Sequence, residues 1–278
     1  MSAMISLKNI SVTFAEGTPD ENHALRNVSL DINQGDFITV IGSNGAGKST
    51  LYNAIAGTIH PTNGKIFLDS KFSTKKTTSD FIDITNDKEY SRAKFIGRIF
   101  QNPLLGTAGK MTLEDNMVIC RQKGYKGLKI SLNSSLREEF KEKLKILNMN
   151  LENRLSDNVD QFSGGQRQAL TLLMAVMSKP ALLLLDEHTA ALDPRNAEIV
   201  MELTKKFAST FNLTVMMITH NMEQALHYGN RLLMMDEGNI ILDIDEKEKS
   251  QLTMASLVQK FKDIKKKELS SDALLLRT

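Results

Sequence analysis

Residues 42–49 read Gly-Ser-Asn-Gly-Ala-Gly-Lys-Ser, between a short β-branched run at 37–41 and a segment from Lys48 onward that reads as a helix closed by Gly57. A G-x-x-x-x-G-K-[ST] pattern set between strand and helix constrains this chain more than any other feature. Its glycines let successive backbone N–H groups turn toward a phosphate chain, and the helix start adds partial positive charge. Lys48 can reach the terminal phosphates of a nucleotide, and Ser49 offers a hydroxyl to magnesium. Gly42, Ser43, Asn44, Gly45, Ala46, Gly47, Lys48, Ser49 and Thr50 are therefore candidate nucleotide contacts. Alone, the pattern leaves kinases, GTPases and motor ATPases open.

The rest of the chain narrows the architecture. At 278 residues and 41% hydrophobic, it can bury a sizeable core. The apolar runs at 181–185 and 213–218 carry no alternation, which predicts strands covered on both faces of a parallel sheet. Residues 4–14 and 25–33 alternate apolar and polar, with a turn at Gly35-Asp36, which predicts an antiparallel start. Residues 112–122 and 134–147 have helical spacing, and Leu136, Phe140, Leu144 and Leu147 fall on one stripe, so a helical insert is expected between the first strand–helix unit and the later strands. Residues 71–80 are polar and basic and read as a surface loop. Beyond about 245, an amphipathic stretch at 250–261 is followed by Lys262, lysines at 265–267 and an apolar 273–276; a solvated helix with a frayed end is expected there. Without an internal repeat the chain carries one catalytic unit, and two units need two chains.

Composition excludes more than it names. Lys plus Arg number 35 against 33 Asp plus Glu, so no overall field favours nucleic acid as a partner. Cys120 is the single cysteine, which rules out an internal disulfide and fits a reducing compartment. The start, MSAMISLKNI, lacks the pattern of a signal peptide, and the apolar runs fall well short of the roughly 20 residues a spanning helix needs. Any membrane contact is expected to run through a partner.

Two further motifs carry chemistry. Leu182-Leu-Leu-Leu-Asp186-Glu187 is an apolar strand ending in two carboxylates, at the edge of a parallel sheet where ligands bind. Asp186 suits the magnesium's water shell, and Glu187, one residue on, suits orienting or deprotonating the attacking water. Phe162-Ser163-Gly164-Gly165-Gln166-Arg167-Gln168 precedes a helix, and Ser163 with Gln166 satisfies a capping box. Such a Gly-rich helix start also presents free N–H groups and a hydroxyl to an anion.

Taken together, SGGQRQ, the glycine loop and LLLLDEHTAALD resemble the nucleotide-binding subunit of ABC transporters, over about residues 4–245. The resemblance implies a P-loop NTPase α/β core with a mixed, largely parallel sheet, an N-terminal antiparallel β subdomain and an α-helical subdomain inserted at about 102–165; 246–278 would be a C-terminal helix and tail. It implies ATP and Mg2+ as ligands, with Ser49, Gln101 and Asp186 on the metal side. Phe14 falls where the family stacks an aromatic on adenine. Gln101 matches the glutamine that joins the core to the insert, and His220, in Ile-Thr-His-Asn, the histidine that contacts the γ-phosphate. Ser163, Gly165 and Gln166 would cover the ATP held by a second copy, so the chain is expected to form a homodimer around two nucleotides, with Glu187, His220 and Gln101 serving hydrolysis. The sequence departs from the family at Ala190, where Ser is common, at Phe162, where Leu is usual, and at His188, where Pro or Ala is more usual. The partners implied are transmembrane permease subunits at the cytoplasmic face of the membrane and, through them, an extracytoplasmic binding protein, with no nucleic acid. The run SNGAGKSTL, the insert's LEDNM and DEHTAALDP look most like importer ATPases, for a small solute such as an amino acid. A soluble ABC ATPase acting on a cytosolic protein assembly is the alternative.

Overall fold

A computed structural model describes residues 3–73, 78–121 and 132–275. Parts of the expected surface loop (74–77), of the first insert helix (residue 122) and of the tail (276–278) lie outside them. Among the described residues the strands are β1 Ala3–Phe14, β2 Asn22–Asn33, β3 Phe37–Gly42, β4 Asn63–Asp69, β5 Phe81–Asp83, β6 Ile96–Ile99, β7 Leu182–Asp186, β8 Thr214–Ile218, β9 Arg231–Asp236 and β10 Asn239–Ile244. The helices are α1 Lys48–Ala56, α2 Glu89–Arg92, α3 Leu113–Arg121, α4 Ser134–Lys145, α5 Gly164–Met177, α6 Pro194–Thr210, α7 Met222–His227, α8 Glu246–Lys249 and α9 Met254–Leu275.

Two sheets result. β2-β1-β4-β5 is antiparallel, and β10-β9-β3-β8-β7-β6 is parallel except for its edge strand β10. The uninterrupted apolar runs are β7 and β8, in the middle of the second sheet, where every residue from Leu182 to Leu185 and from Thr214 to Ile218 is buried. Such strands have no wet face to alternate with. The alternating runs are β1 and β2, which form a hairpin as their pattern predicts. α3, α4 and α5 all fall between β6 and β7, and Leu136, Phe140, Leu144 and Leu147 are buried in the apolar cluster they share with α6. The architecture is the expected α/β core with an antiparallel β subdomain and an inserted helical one.

The C-terminal helix differs from its expectation. It begins at Met254 rather than Ser250, because Asp245 caps a separate short helix, α8, by accepting from Glu248 N. Nor is all of it solvated: Leu257 is fully buried with Ile41, Leu232, Met234 and Ile244, and Phe261 packs against them. Lys249, buried at the end of α8, donates to the carbonyls of Tyr228 and Gly229, and burial pushes its pKa down to about 8.

One side chain ties the end of α1 to the end of the antiparallel sheet. The guanidinium of Arg92 is fully buried and donates to five carbonyls: Asp87 at 3.0 Å, Ala54 and Ile55 at 2.8 Å, Ile84 at 2.6 Å and Thr85 at 2.9 Å. Ala54 and Ile55 lie in the last turn of α1, whose carbonyls have no partner within the helix. Ile84 and Thr85 follow β5 of the antiparallel sheet. Arg92→Met is expected to take their Arg92 donor from the carbonyls of Ile55 and Asp87, while those of Ala54, Ile84 and Thr85 keep a second partner, and to lower stability by about 2–4 kcal/mol. Urea unfolding checks this, and a loss below about 1 kcal/mol would show that the carbonyls find other donors.

Candidate functional site

The carboxyl ends of four parallel strands share one edge because of their register. Val40 on β3 pairs with Ile218 on β8, Ile218 with Asp186 on β7, and Leu185 with Ile99 on β6. The glycine loop follows β3, Gln101 follows β6, Glu187 follows β7 and His220 follows β8. Four segments distant in sequence thus converge, as ligand sites in such sheets do.

At the first residue of the loop, Gly42 has φ 153°, and a Cβ there would sit 2.1 Å from the carbonyl oxygen of Met235 on β9. Only glycine lets the chain pass that close. Ser43 Oγ donates to Asp236 Oδ1 at 3.1 Å, fixing the loop to the end of β9. Ala46 is buried beneath the loop and Thr50 half-buried, while Ser43, Asn44, Gly45 and Ser49 are exposed. Lys48 is buried and folds back, donating to the carbonyls of Gly42 at 2.9 Å and Ser43 at 2.8 Å. Burial pushes its pKa down, against the carboxylates of Glu187 and Asp186, which pull it up. On the other side, a Cβ at Gly47 would meet the Ala24 carbonyl at 2.5 Å, so β2 closely borders the loop. That end of the β1–β2 hairpin carries Phe14, which is 41% exposed.

Asp186 and Glu187 have different surroundings. Burial raises the pKa of Asp186, and the largest opposing influence is the guanidinium of Arg98 on β6, whose Nη2 lies 4.0 Å from Asp186 Oδ2. Glu187 leaves the strand with φ 46°, a left-handed conformation rare for glutamate, and its N–H donates to the carbonyl of Ile218 at 3.2 Å. That turn brings Glu187 Oε1 to 2.5 Å from Nε2 of His220. A carboxylate oriented by an imidazole at a strand end can accept a proton from water.

The imidazole of His188 does not join this pair. It is buried, with Nε2 3.2 Å from Thr204 Oγ1 on α6. Because that hydroxyl already donates to the Val200 carbonyl at 2.8 Å, the imidazole is the donor and carries its proton on Nε2. Burial pushes the His188 pKa down to about 4 and keeps the ring neutral. The departure at 188 is thus a core position satisfied by α6.

Ser163 starts α5 with both halves of the capping box. Gln166 N donates to Ser163 Oγ at 3.3 Å, and Ser163 N to Gln166 Oε1 at 3.1 Å. Ser163 is exposed, Gln166 half-buried and Gly165 buried against the first turn of α6, where a Cβ would come 2.6 Å from Asn196 Cγ. Among the described residues no hydrogen bond or ion pair joins Ser163, Gly165 or Gln166 to residues 42–50 of the same chain. Gln101 is exposed just beyond β6.

Sequence reasoning missed Arg98, for which no local signal exists, and Asp236, whose run Leu232–Asp236 ends in a carboxylate as the Asp186 run does. A mostly apolar cleft of 510 Å³ lies at the opposite end of β7 and β8, among Phe95, Pro180, Phe211 and Lys179. A smaller one, 220 Å³, lies between Glu187 and His220. The chemistry-bearing side chains decide between them in favour of the smaller.

A parallel sheet that gathers a phosphate loop, paired carboxylates and a histidine at one edge, with a helical insert opening on a Ser-Gly-Gly-Gln cap, defines an ATP-binding cassette. Residues 25–190 match the family model described as ABC transporter. A tyrosine transport ATP-binding protein of Clostridioides difficile is 41% identical over 93% of this chain and 98% of its own length. An energy-coupling factor transporter ATP-binding protein, EcfA2, of Clostridium tetani is 30% identical over 86% of this chain and 78% of its own. Among solved structures, a dimeric ATP-binding cassette in a post-hydrolysis state with ADP and phosphate aligns with a TM-score of 0.69 and 28% identity, over 87% of this chain and 99% of that one. The chain belongs to the ABC transporter family, as an ATP-binding subunit with ATPase activity.

Gly165→Ala is expected to force α5 away from α6 and lower the unfolding midpoint, by about 1–3 kcal/mol of stability. Asn196→Gly in the same chain is expected to restore most of the loss, because it removes the atoms the new methyl meets. An unrelieved loss in the double variant would place the strain elsewhere.

Proposed function

We propose that this chain powers uptake of an amino acid, tyrosine or a close relative, through a separate permease dimer, closing on a second copy of itself around two ATP molecules. What carries this reading is the division of the site: Lys48, Glu187 and His220 gather at one sheet edge, whereas Ser163, Gly165 and Gln166 lie on the insert with no bond to that edge. Each half is then completed by the other copy. The described residues contain no helix long and apolar enough to cross a membrane. Passage of solute therefore needs other subunits, and the chain would sit at the cytoplasmic face of the membrane.

The roles proposed for its residues combine the geometry with the family resemblance. Residues 42–50 bind the phosphates with backbone N–H groups and Lys48, and Phe14 stacks on adenine. Glu187, fixed by its left-handed turn, accepts a proton from the attacking water. His220, within hydrogen-bond reach of Glu187, orients it and reaches the terminal phosphate. The oxygen donors Ser49, Gln101 and Asp186 suit Mg2+, which favours hydroxyl, amide and carboxylate oxygens and would neutralise charge developing on the β- and γ-phosphates. Ser163 and Gln166 of one copy present the capped start of α5 to the γ-phosphate held by the other.

The permease would dock beside Gln101. Leu104 and Leu105, immediately beyond it, are 56% and 65% exposed, and Ile119 on α3 is 54% exposed. Leu104 and Leu105 are neighbouring exposed apolar side chains, of the kind that marks an interaction surface, and their place next to Gln101 would let a change there reach the permease. The relative named for tyrosine transport, clearly more similar than those at 30%, supports an amino acid as solute. The permease would take that solute from an extracytoplasmic binding protein.

Glu187→Gln is expected to slow ATP hydrolysis at least about 100-fold and to elute as a dimer with Mg·ATP in size-exclusion chromatography. A monomer at every concentration would overturn the two-copy site. Tagged Glu187→Gln chain purified from detergent-solubilised membranes is expected to bring a stoichiometric polytopic permease, whose tyrosine transport is then measured in proteoliposomes. Soluble companions alone would point to the cytosolic alternative.

Leu104→Asp with Leu105→Asp is expected to lose the permease while keeping the ATP-dependent dimer. Retention of the permease by that variant would move the docking surface elsewhere.

A further inference from the structure

Between α1, β6 and β7 lie three polar side chains, Tyr52, Arg98 and Asp186, that the proposed mechanism does not use together. Arg98 points from β6 toward the end of β7, where its Nη2 is 4.0 Å from Asp186 Oδ2. Register places Arg98 opposite Leu184, so Asp186 lies two residues further along the neighbouring strand, on the same face. The guanidinium stacks 4.6 Å over the ring of Phe100, and its Nη1 reaches Thr58 Oγ1 at 3.4 Å. Both charged side chains are largely shielded, at 14% and 19% exposure, so solvent screens them little. Two buried donors have no partner among the described residues, Arg98 Nε and the hydroxyl of Tyr52, which is fully buried close enough to feel the charge of Asp186. Of the charged groups around Asp186, Arg98 acts on it more strongly than Glu187, Lys48 or His220.

A buried carboxylate without a counter-charge is costly. Asp186 therefore needs a cation whenever no metal is beside it, and a guanidinium cannot lose its proton to escape that duty. A metal ion at Asp186 and the guanidinium beside it are like charges facing one carboxylate. Phe100 and Thr58 hold the guanidinium near, so the repulsion persists rather than dissipating into solvent.

We propose that Arg98 is a positioning residue, a resident counter-ion that holds Asp186 in the nucleotide-free chain and competes with the metal arriving with ATP. It thereby sets the free Mg2+ concentration at which nucleotide is captured and favours release of the metal once the γ-phosphate is gone. The inference rests on the reading of Asp186 as a metal-holding group.

The test is a titration of free Mg2+ against binding of a fluorescent, non-hydrolysable ATP analogue, on intact wild-type chain and on Arg98→Met and Arg98→Lys, with thermal unfolding followed alongside. Arg98→Met removes the charge and keeps an apolar contact with Phe100; its Mg2+ midpoint is expected to fall about three- to tenfold. Arg98→Lys keeps the charge and is expected to stay within about twofold of wild type. A role limited to packing would lower the melting temperature of both and move neither midpoint. Should Arg98→Met not fold, Arg98→Gln carries the same expectation. An unchanged or higher midpoint in the charge-removing variant, with wild-type binding still dependent on Mg2+, overturns the inference alone. Wild-type binding indifferent to Mg2+ overturns the metal reading, and the inference with it.

Discussion

The register of four parallel strands is the constraint on which everything else in this chain depends. Hydrogen bonds that pair Val40 with Ile218 and Ile218 with Asp186 set the level at which each strand releases its chain into a loop. A slip of one residue in β7 would carry Asp186 and Glu187 to opposite faces and separate Glu187 from His220. The buried leucines of β7 and methionines of β8 prevent that slip, since each fills a place in the core on one face or the other. Core packing and site geometry are thus one arrangement, and polar groups at the edge inherit their precision from apolar ones beneath.

Much of this was legible in the sequence because several signals are local. Phosphate binding needs glycine, lysine and serine at fixed spacing, and strands buried on both faces need unbroken apolar runs. The β9–β10 hairpin was legible in principle, since RLLMMD and NIILDI flank Glu237-Gly238. Both turn residues have positive φ, at 45° and 81°, as a two-residue hairpin turn requires. The start of the last helix was misplaced because Asp245 captures the preceding residues into a helix of their own.

What stayed hidden was tertiary. Arg92 finds carbonyls up to 38 positions away, and Arg98 meets a carboxylate on a neighbouring strand that the helical insert separates from it in sequence. His188 was visible only as a departure from the family, until Thr204 on α6 accounted for it. In each case the residue type says that a partner must exist, and only the folded chain says which.

The folded-back ammonium of Lys48 has a consequence for which molecules the loop will accept. Two of its three proton donors are already engaged by the carbonyls of Gly42 and Ser43, so a ligand that takes those two must outbid neutral acceptors rather than bulk water. Charge-assisted bonds to phosphate oxygens are roughly twice as strong as neutral ones, so a terminal phosphate can do so. Adenosine or AMP, which place no anion at that depth, would leave the lysine where it lies. On the proposed role of Lys48, the loop would favour ligands with a longer phosphate chain before any hydrolytic group is involved, and it would do so through contacts internal to the protein.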